Sequence, residues 1–405
     1  MHTSSRAGSA FIGNAYSGKS SLIDAGRGGP RVRASRMKGV DAARGIAMVL
    51  VCVSHVRGHF ADSAPELYFL LTAFTRLATP TFLILSGFVA AYVLATHRSN
   101  ARIALFDRGL FVLVVGHFLL NLGDLREVDA TQWIIGRVTV TDAIGLCLMS
   151  AVVLHRLPAT ALAVLGAVLA FLSWPIAMTV TMDSPVAGHV GAALFDLQSE
   201  ANPLIDAAIV PYLGLFLIGM ALSKHSLEDL NSRNIQSVAR RLTVRGMSAI
   251  GIVVFALASW LALKTVGLTP TDPATAELAR LALDPRSKLP PGPSYLLFYG
   301  GGGLLLTAMC LIERPRGLMR PIVTWASTLG RASLMCFVVQ DWLLLLVPGL
   351  FGFEQSTSVV FWLCYLCFAL IVIHWLASRW DANGANRFLT FGLRNLARTP
   401  ATRSR

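Results

Sequence analysis

The sequence predicts an all-α protein, a polytopic membrane helical bundle of about ten transmembrane helices with both termini cytoplasmic. Three observations predict it. Hydrophobic residues make up 54% of the chain and charged residues only 14%, whereas about a quarter of a soluble domain is charged. The mean hydropathy is +0.61. The apolar stretches run for roughly twenty residues and do not alternate, which suits helices and argues against a β-barrel.

Residues 1–38 are rich in Gly, Ser and Arg and show no apolar period. They are expected to form a disordered basic cytoplasmic tail. No apolar core follows the early charges, so no cleavable signal peptide is expected. Within this tail, residues 13–20 read GNAYSGKS and match the nucleotide-binding G-x4-G-K-[ST] pattern. That pattern works only as a turn between a strand and a helix, where backbone N–H groups cradle phosphate. Only about twenty residues separate it from the first membrane helix, too few to build a sheet, and nucleotide hydrolysis is set aside.

The membrane domain is expected over residues 39–380, with spans near 40–60, 67–95, 103–122, 138–155, 159–180, 204–223, 246–267, 293–312, 322–349 and 356–378. A second basic cytoplasmic tail is expected over 381–405. Loop charges support this count. Arg31, Arg33, Arg36 and Lys38 precede the first span, Arg156 lies between the fourth and fifth, and Lys224, Arg240, Arg241 and Arg245 lie between the sixth and seventh. Arg314, Arg316 and Arg320 follow the eighth, and Arg387, Arg394 and Arg398 follow the tenth. All fall on one side. The opposite loops carry Asp62, Glu66, Asp124, Glu127, Asp129, Asp183, Asp196, Glu200 and Glu354. This is the positive-inside pattern. It also accounts for the formal net charge of +13, so no nucleic-acid partner is expected. No internal repeat is visible, which gives an inverted-repeat transporter little support.

The six cysteines all lie in apolar stretches, where a thiol behaves as a small hydrophobe, and no disulfide framework is implied. The loop over 268–292 is long, with a short amphipathic helix expected at 274–283 and a stiff segment at Pro290 and Pro291. It is either functional or a plain connector. The glycines at 300–303 permit close helix approach.

The first span carries the polar residues around which the rest is organised. Residues 41–60 read DAARGIAMVLVCVSHVRGHF. Arg44 and His55 are eleven positions apart, and eleven steps of about 100° return to nearly the same direction. Both side chains therefore project from one face, separated by a rise of roughly 16 Å. Intramembrane charge usually faces a protein interior or an aqueous cavity, so this face is expected to form one wall of an active-site channel. The alternative has Arg44 snorkelling to the surface and His55 bonded to a neighbour.

The spacing R-x10-H, with the flanks KGVDAARGIAMVLVCVSHVRGHF and ATPTFLILSGFVAAYV, resembles the membrane acyltransferase-3 family. Related heparan-glucosaminide acetyltransferase-like and glucan succinyltransferase-like membrane proteins share the likeness. PYLGLFLIGMAL, SKLPPGPSYLLFYGGGGLLL and LGRASLMCFVVQDWL extend it over most of residues 36–378. The resemblance implies transfer of an acyl group, acetyl foremost, from cytoplasmic acyl-CoA as co-substrate. The implied acceptor is a glycan or other hydroxyl or amine compound outside the bacterial inner membrane. It makes Arg44 and His55 the catalytic pair.

Elementary chemistry supports those roles. A neutral imidazole can take a proton from the attacking acceptor or receive the acyl group itself. A fixed guanidinium suits a phosphate or a developing oxyanion. Arg98, Arg102 and Arg108 cluster at the cytoplasmic mouth, where CoA phosphates would arrive; ordinary positive-inside topology also accounts for them. Asp41, one turn before Arg44, is placed to orient it. His59, Ser86, His117, Lys288 and Gln340 are candidate cavity-lining residues. His59 lies one turn beyond His55, but no third ligand accompanies the pair and no metal is expected. His117 is alternatively a hydrogen-bonded packing residue. Relatives often place a His near Gln340, and its absence speaks against a second-histidine mechanism. Ser54 stands where close relatives often have Asp, so His55 is without that usual orienting carboxylate. The rival function is a non-enzymatic transporter or channel, in which intramembrane charge is equally at home; a scaffold with a decayed site is a second.

Overall fold

The computed structural model describes residues 37–96, 101–122, 137–179, 185–195, 207–268, 270–312, 319–353, 356 and 358–393. Every regular element among them is helical. Eight helices are long and apolar enough to cross a membrane, and two shorter apolar helices, Val140–Leu154 and Ile209–His225, stand where the two other spans are expected. The chain is an all-α polytopic membrane protein. The N-terminal tail with its GNAYSGKS match lies outside the described residues.

Helix α1 (Lys38–Val56) runs on into a 3-10 turn (Arg57–Phe60), and α2 (Pro65–Thr75) and α3 (Ala78–Thr96) follow. The expected second span is thus two helices, because α2 ends at Thr75 and α3 restarts at Ala78. A wide π turn (Val112–Gly116) joins α4 (Ala101–Phe111) to α5 (His117–Asn121). Next come α6 (Val140–Leu154), α7 (Ala159–Thr179), α8 (Pro185–Phe195), α9 (Ile209–His225) and α10 (Leu227–Asn231). The long α11 (Ile235–Thr265) starts well before its apolar part. The outer loop holds α12 (Pro273–Leu283), close to the expected helix. The side chain of Asp272 caps it by accepting from the backbone N–H and the hydroxyl of Thr275. Those bonds hold the Asp272 carboxyl below its ordinary range.

Helix α13 (Pro293–Leu311) precedes α14 (Met319–Arg331) and α15 (Ser333–Asp341), which is continued by a second π turn (Trp342–Leu346) and α16 (Val347–Phe351). The last long helix is α17 (Val359–Ala382). The expected ninth span, 322–349, therefore needs correction. The helix breaks at Ala332, and the crossing segment is Ser333–Phe351. Helix α14, with its apolar side on α1, is a separate amphipathic piece.

Helix α1 sits centrally and touches α2, α3, α13, α14, α15 and α17. Its closest neighbour is α14, and glycine makes that approach possible. A Cβ on Gly45 would stand 1.8 Å from the Ala326 carbonyl oxygen, and one on Gly330 would stand 1.8 Å from that of Asp41. Helices α3 and α9 meet in the same way through Gly87 and Gly219. The glycine run in α13 also serves packing. Gly301 faces Gly246 of α11, and Gly303 faces Thr81 of α3.

At the end bearing the basic segments, Arg331 Nε donates to Asp381 at 2.8 Å, and Asn386 donates to the Arg331 carbonyl at 2.9 Å. The expected tail over 381–405 is therefore structured in its first part. Asp107 of α4 is buried and accepts the backbone N–H groups of Phe391, Gly392 and Leu393 at 2.7, 3.1 and 3.0 Å. The charged acceptor is what makes this latch strong. Asp107→Asn is expected to weaken the attachment by about 2 kcal/mol. Limited proteolysis should then cleave beyond α17 several-fold faster, with the rest of the bundle intact.

Candidate active site

A cavity of about 750 Å³ opens among the ends of α1, α3, α6, α9, α15 and α16 that lie opposite the basic tails. His55 reaches it from the C-terminal end of α1 and His59 from the 3-10 turn that follows, Thr75 and Arg76 from the end of α2, and Phe82 from the first turns of α3. Arg137 and Thr139 approach ahead of α6, Lys288 from the outer loop, and Phe337 and Asp341 from α15.

His55 stands at the wall with its side chain 27% exposed. Its Nε2 lies 3.5 Å from Asp341 Oδ1, and the Gln340 amide is equally near. Gln340 is fully buried; its amide nitrogen donates to Asp341 Oδ1 at 2.8 Å and to the Phe337 carbonyl at 3.1 Å. The carboxylate that sequence neighbours of His55 do not supply thus comes from the adjoining helix α15. Asp341 immediately precedes the π turn over Trp342–Leu346, and the widened helix is tied across the bundle. Trp342 Nε1 donates to the Leu119 carbonyl in α5 at 2.7 Å. Such turns recur at functional sites.

Arg44 is held differently. Its Nη2 donates to Ser333 Oγ at 2.6 Å, and its guanidinium carbon is 5.9 Å from the centroid of the Phe82 ring, within cation–π range. Phe82 and Phe337 meet edge to face at 6.5 Å and both line the cavity. Arg44 is not among the residues lining it. His55 faces the cavity, and Arg44 lies against Phe82, whose ring also lines it.

The other candidates separate clearly. His59 lines the cavity and stacks on Trp362 at 3.6 Å between ring centroids. Lys288 lines it as well. His117 is hydrogen-bonded on both ring nitrogens. Its Nδ1 is 2.9 Å from Asp142 Oδ1 and its Nε2 is 3.0 Å from the Asn121 amide, outside the cavity lining. Asp142 is itself fixed as the third residue of α6, accepting from the backbone and hydroxyl of Thr139. Asp41 is buried in the first turn of α1, its backbone carbonyl packed against Gly330. Ser86 is half-buried on α3, one turn past Phe82 and away from the cavity. Arg102 is exposed and Arg108 half-buried on α4, far along the bundle from the cavity, and Arg98 lies outside the described residues. Among the described residues no group of three or more His, Cys, Asp or Glu side chains is arranged to hold a metal ion.

Sequence reasoning did not single out Arg57, Arg76 and Arg137 as cavity residues. A signal existed. They stand with Lys288, Arg280 and Arg286 at the end opposite the basic tails, so charge segregation is less complete than the loop counts suggest.

Residues 37–378 match the family model described as an acyltransferase domain, of the acyltransferase-3 type. The chain belongs to the acyltransferase-3 family. That match spans α1 through most of α17 and so includes both the cavity and Arg44. No curated protein and no solved structure matches the chain. The protein is a multi-pass membrane acyltransferase, and the match favours transfer chemistry over the transporter alternative.

Proposed function

We propose that this acyltransferase takes an acyl group, acetyl foremost, from cytoplasmic acyl-CoA and passes it to a hydroxyl or amine of a carbohydrate acceptor. The acceptor lies outside the bacterial inner membrane. The observation that carries this reading is His55 at the wall of a large cavity, with the Asp341 carboxylate beside its Nε2. A carboxylate there favours the tautomer protonated at Nε2, which leaves Nδ1 as the basic nitrogen. His55 then takes the proton of the acceptor O–H or N–H as that atom attacks the thioester carbonyl. The new bond to the acyl carbon forms, the C–S bond breaks, and the departing thiolate receives the proton from the imidazolium. Asp341 stabilises that imidazolium while it exists. The 3.5 Å separation is expected to shorten in the complex.

Arg44 is assigned to the donor side, where a guanidinium suits phosphate or the developing oxyanion. The basic residues Arg98, Arg102 and Arg108 are assigned to the CoA phosphates, on the reading that their end of the bundle is cytoplasmic. Mass spectrometry of surface glycans from cells with and without the protein tests the proposal. Glycans gaining one acyl group only when the protein is present, with purified protein releasing free CoA thiol in step, is the expected result. An unchanged glycan profile together with no thiol release sinks it.

A further inference from the structure

Gln340 is fully buried beside the His55–Asp341 pair, yet only one end of its amide is satisfied. Its Nε2 donates to the Phe337 carbonyl at 3.1 Å and to Asp341 Oδ1 at 2.8 Å. Its Oε1 is buried and has no hydrogen-bond partner among the described residues. We propose that Gln340 is a positioning residue: its amide pins the Asp341 carboxylate so that Oδ1 faces His55 Nε2, and so selects the reactive tautomer of the imidazole. This rests on the reading of His55 as the general base for the word reactive; the clamp itself stands on the geometry.

The unmet oxygen is the first sign. Met or Leu would fill a buried place of this size with no polar atom to satisfy. A buried amide with one end unmet is a worse packing choice than either, so packing does not explain Gln340. Such breaches gather at functional sites. The orientation of the amide is the second sign. Turned over, it would set Oε1 against the Phe337 carbonyl and the Asp341 carboxylate, both acceptors. The nitrogen is therefore the end that faces them, and both of its N–H groups are used. Although that nitrogen is 3.5 Å from His55 Nε2, no third N–H remains for the ring. The ring nitrogen meets Asp341 Oδ1 at the same distance, and a carboxylate can only accept. Nε2 is thus the nitrogen that carries the proton, and Nδ1 the basic one. The third sign is the short contact itself. An N–H held on a charged oxygen is a strong bond, and it opposes rotation of the carboxylate toward the cavity, which Asp341 also lines. The backbone that follows is tied as well. Besides the Trp342 bond to Leu119, Tyr365 Oη donates to the Leu343 carbonyl at 2.5 Å. The π turn is so fixed from two sides, and Gln340 and Asp341 keep their place against α1.

The test uses the full chain purified in detergent and carrying isotope-labelled histidine. Nitrogen NMR distinguishes a ring nitrogen that bears a proton from one that does not, and the His55 signals are those lost in His55→Ala. At mildly alkaline pH, where an imidazole is neutral, the unaltered protein is expected to hold the His55 proton on Nε2. Gln340→Met keeps the length of the side chain and removes both donors. It should lower the ratio of the Nε2–H to the Nδ1–H form about threefold or more, the scale of one net hydrogen bond, and Asp341→Asn should lower it at least as far. Adding Gln340→Met to Asp341→Asn should change the ratio by less than about twofold, because the amide acts through the carboxylate. His55 protonated at Nδ1 in the unaltered protein overturns the proposal. So does an unchanged ratio in Gln340→Met, or an equal drop with and without the Asp341 carboxylate. Gln340→Leu is the second variant, and aggregation of both on gel filtration assigns the amide to packing and overturns the proposal as well. Thiol release from acetyl-CoA separates this inference from the acyl-transfer reading. In a protein that turns over, Gln340→Met should lower kcat about fivefold and leave KM for acetyl-CoA within about twofold, since the pair matters while the imidazolium exists. The expected tautomer response in a protein that releases no thiol supports the clamp and counts against acyl-CoA chemistry alone.

Discussion

Replacing His55 with Ala is expected to remove acyl transfer while leaving a folded, membrane-inserted protein. A positioned general base contributes about 10²–10⁴ in rate, and loss on that scale would take turnover to the background of thioester hydrolysis. The residue is partly exposed to the cavity and caps no helix, so the truncation leaves the packing of α1 alone. Gel filtration of the variant should superimpose on that of the unaltered protein. Asp341→Asn keeps the shape of the partner and removes its charge. Its cost is expected to be smaller, about tenfold or more, because the histidine remains and only its orientation and the stability of the imidazolium suffer. The two substitutions act on one unit, so Asp341→Asn in the His55→Ala background should add almost nothing. Full transfer by the His55→Ala protein would remove the histidine from the mechanism.

The largest effect on stability is expected at the α1–α14 contact. Gly45→Val or Gly330→Val places a branched side chain where even a single carbon would overlap a backbone carbonyl at 1.8 Å. Backbone cannot rotate aside as a side chain does, so the cost should exceed the usual 1–3 kcal/mol of an overpacked core. The expected outcome is loss of the monodisperse peak after detergent extraction, with the chain recovered as aggregate. Gly251→Ala on α11 is the control. Nothing lies within 4 Å of the Cβ it would add, and Ala is favoured over Gly in a helix by about 1 kcal/mol. That variant should be as stable as the parent or slightly more so. If the Val substitutions at 45 and 330 behave like the control, the two helices are not packed as described.

Much of this was legible in the sequence because the information was local. Long apolar runs announce membrane helices by length, and the eleven-residue spacing places Arg44 and His55 on one helix whatever surrounds it. The glycines of α13 were legible as packing residues for the same reason. The break at Ala332 was not, because α14 is amphipathic and its apolar side continues the hydrophobic run into α15. The pairing of His55 with Asp341 was not legible either. Asp341 directly follows the candidate Gln340 in the sequence, but which of two neighbouring helical positions meets the imidazole depends on how α15 turns against α1. Arg57, Arg76 and Arg137 escaped notice for a stronger reason. Each looks like an ordinary charge near a helix end, and only the folded chain brings them to one place.

The rings of Phe82 and Phe337 line the hollow that holds His55, and the Phe82 ring also lies near the Arg44 guanidinium. A polar recess in an energised membrane carries the risk of ion leakage, which would discharge the cell. Apolar rings raise the energy of a bare ion at such a place, so the chain can hold charged side chains at depth while opposing that leak.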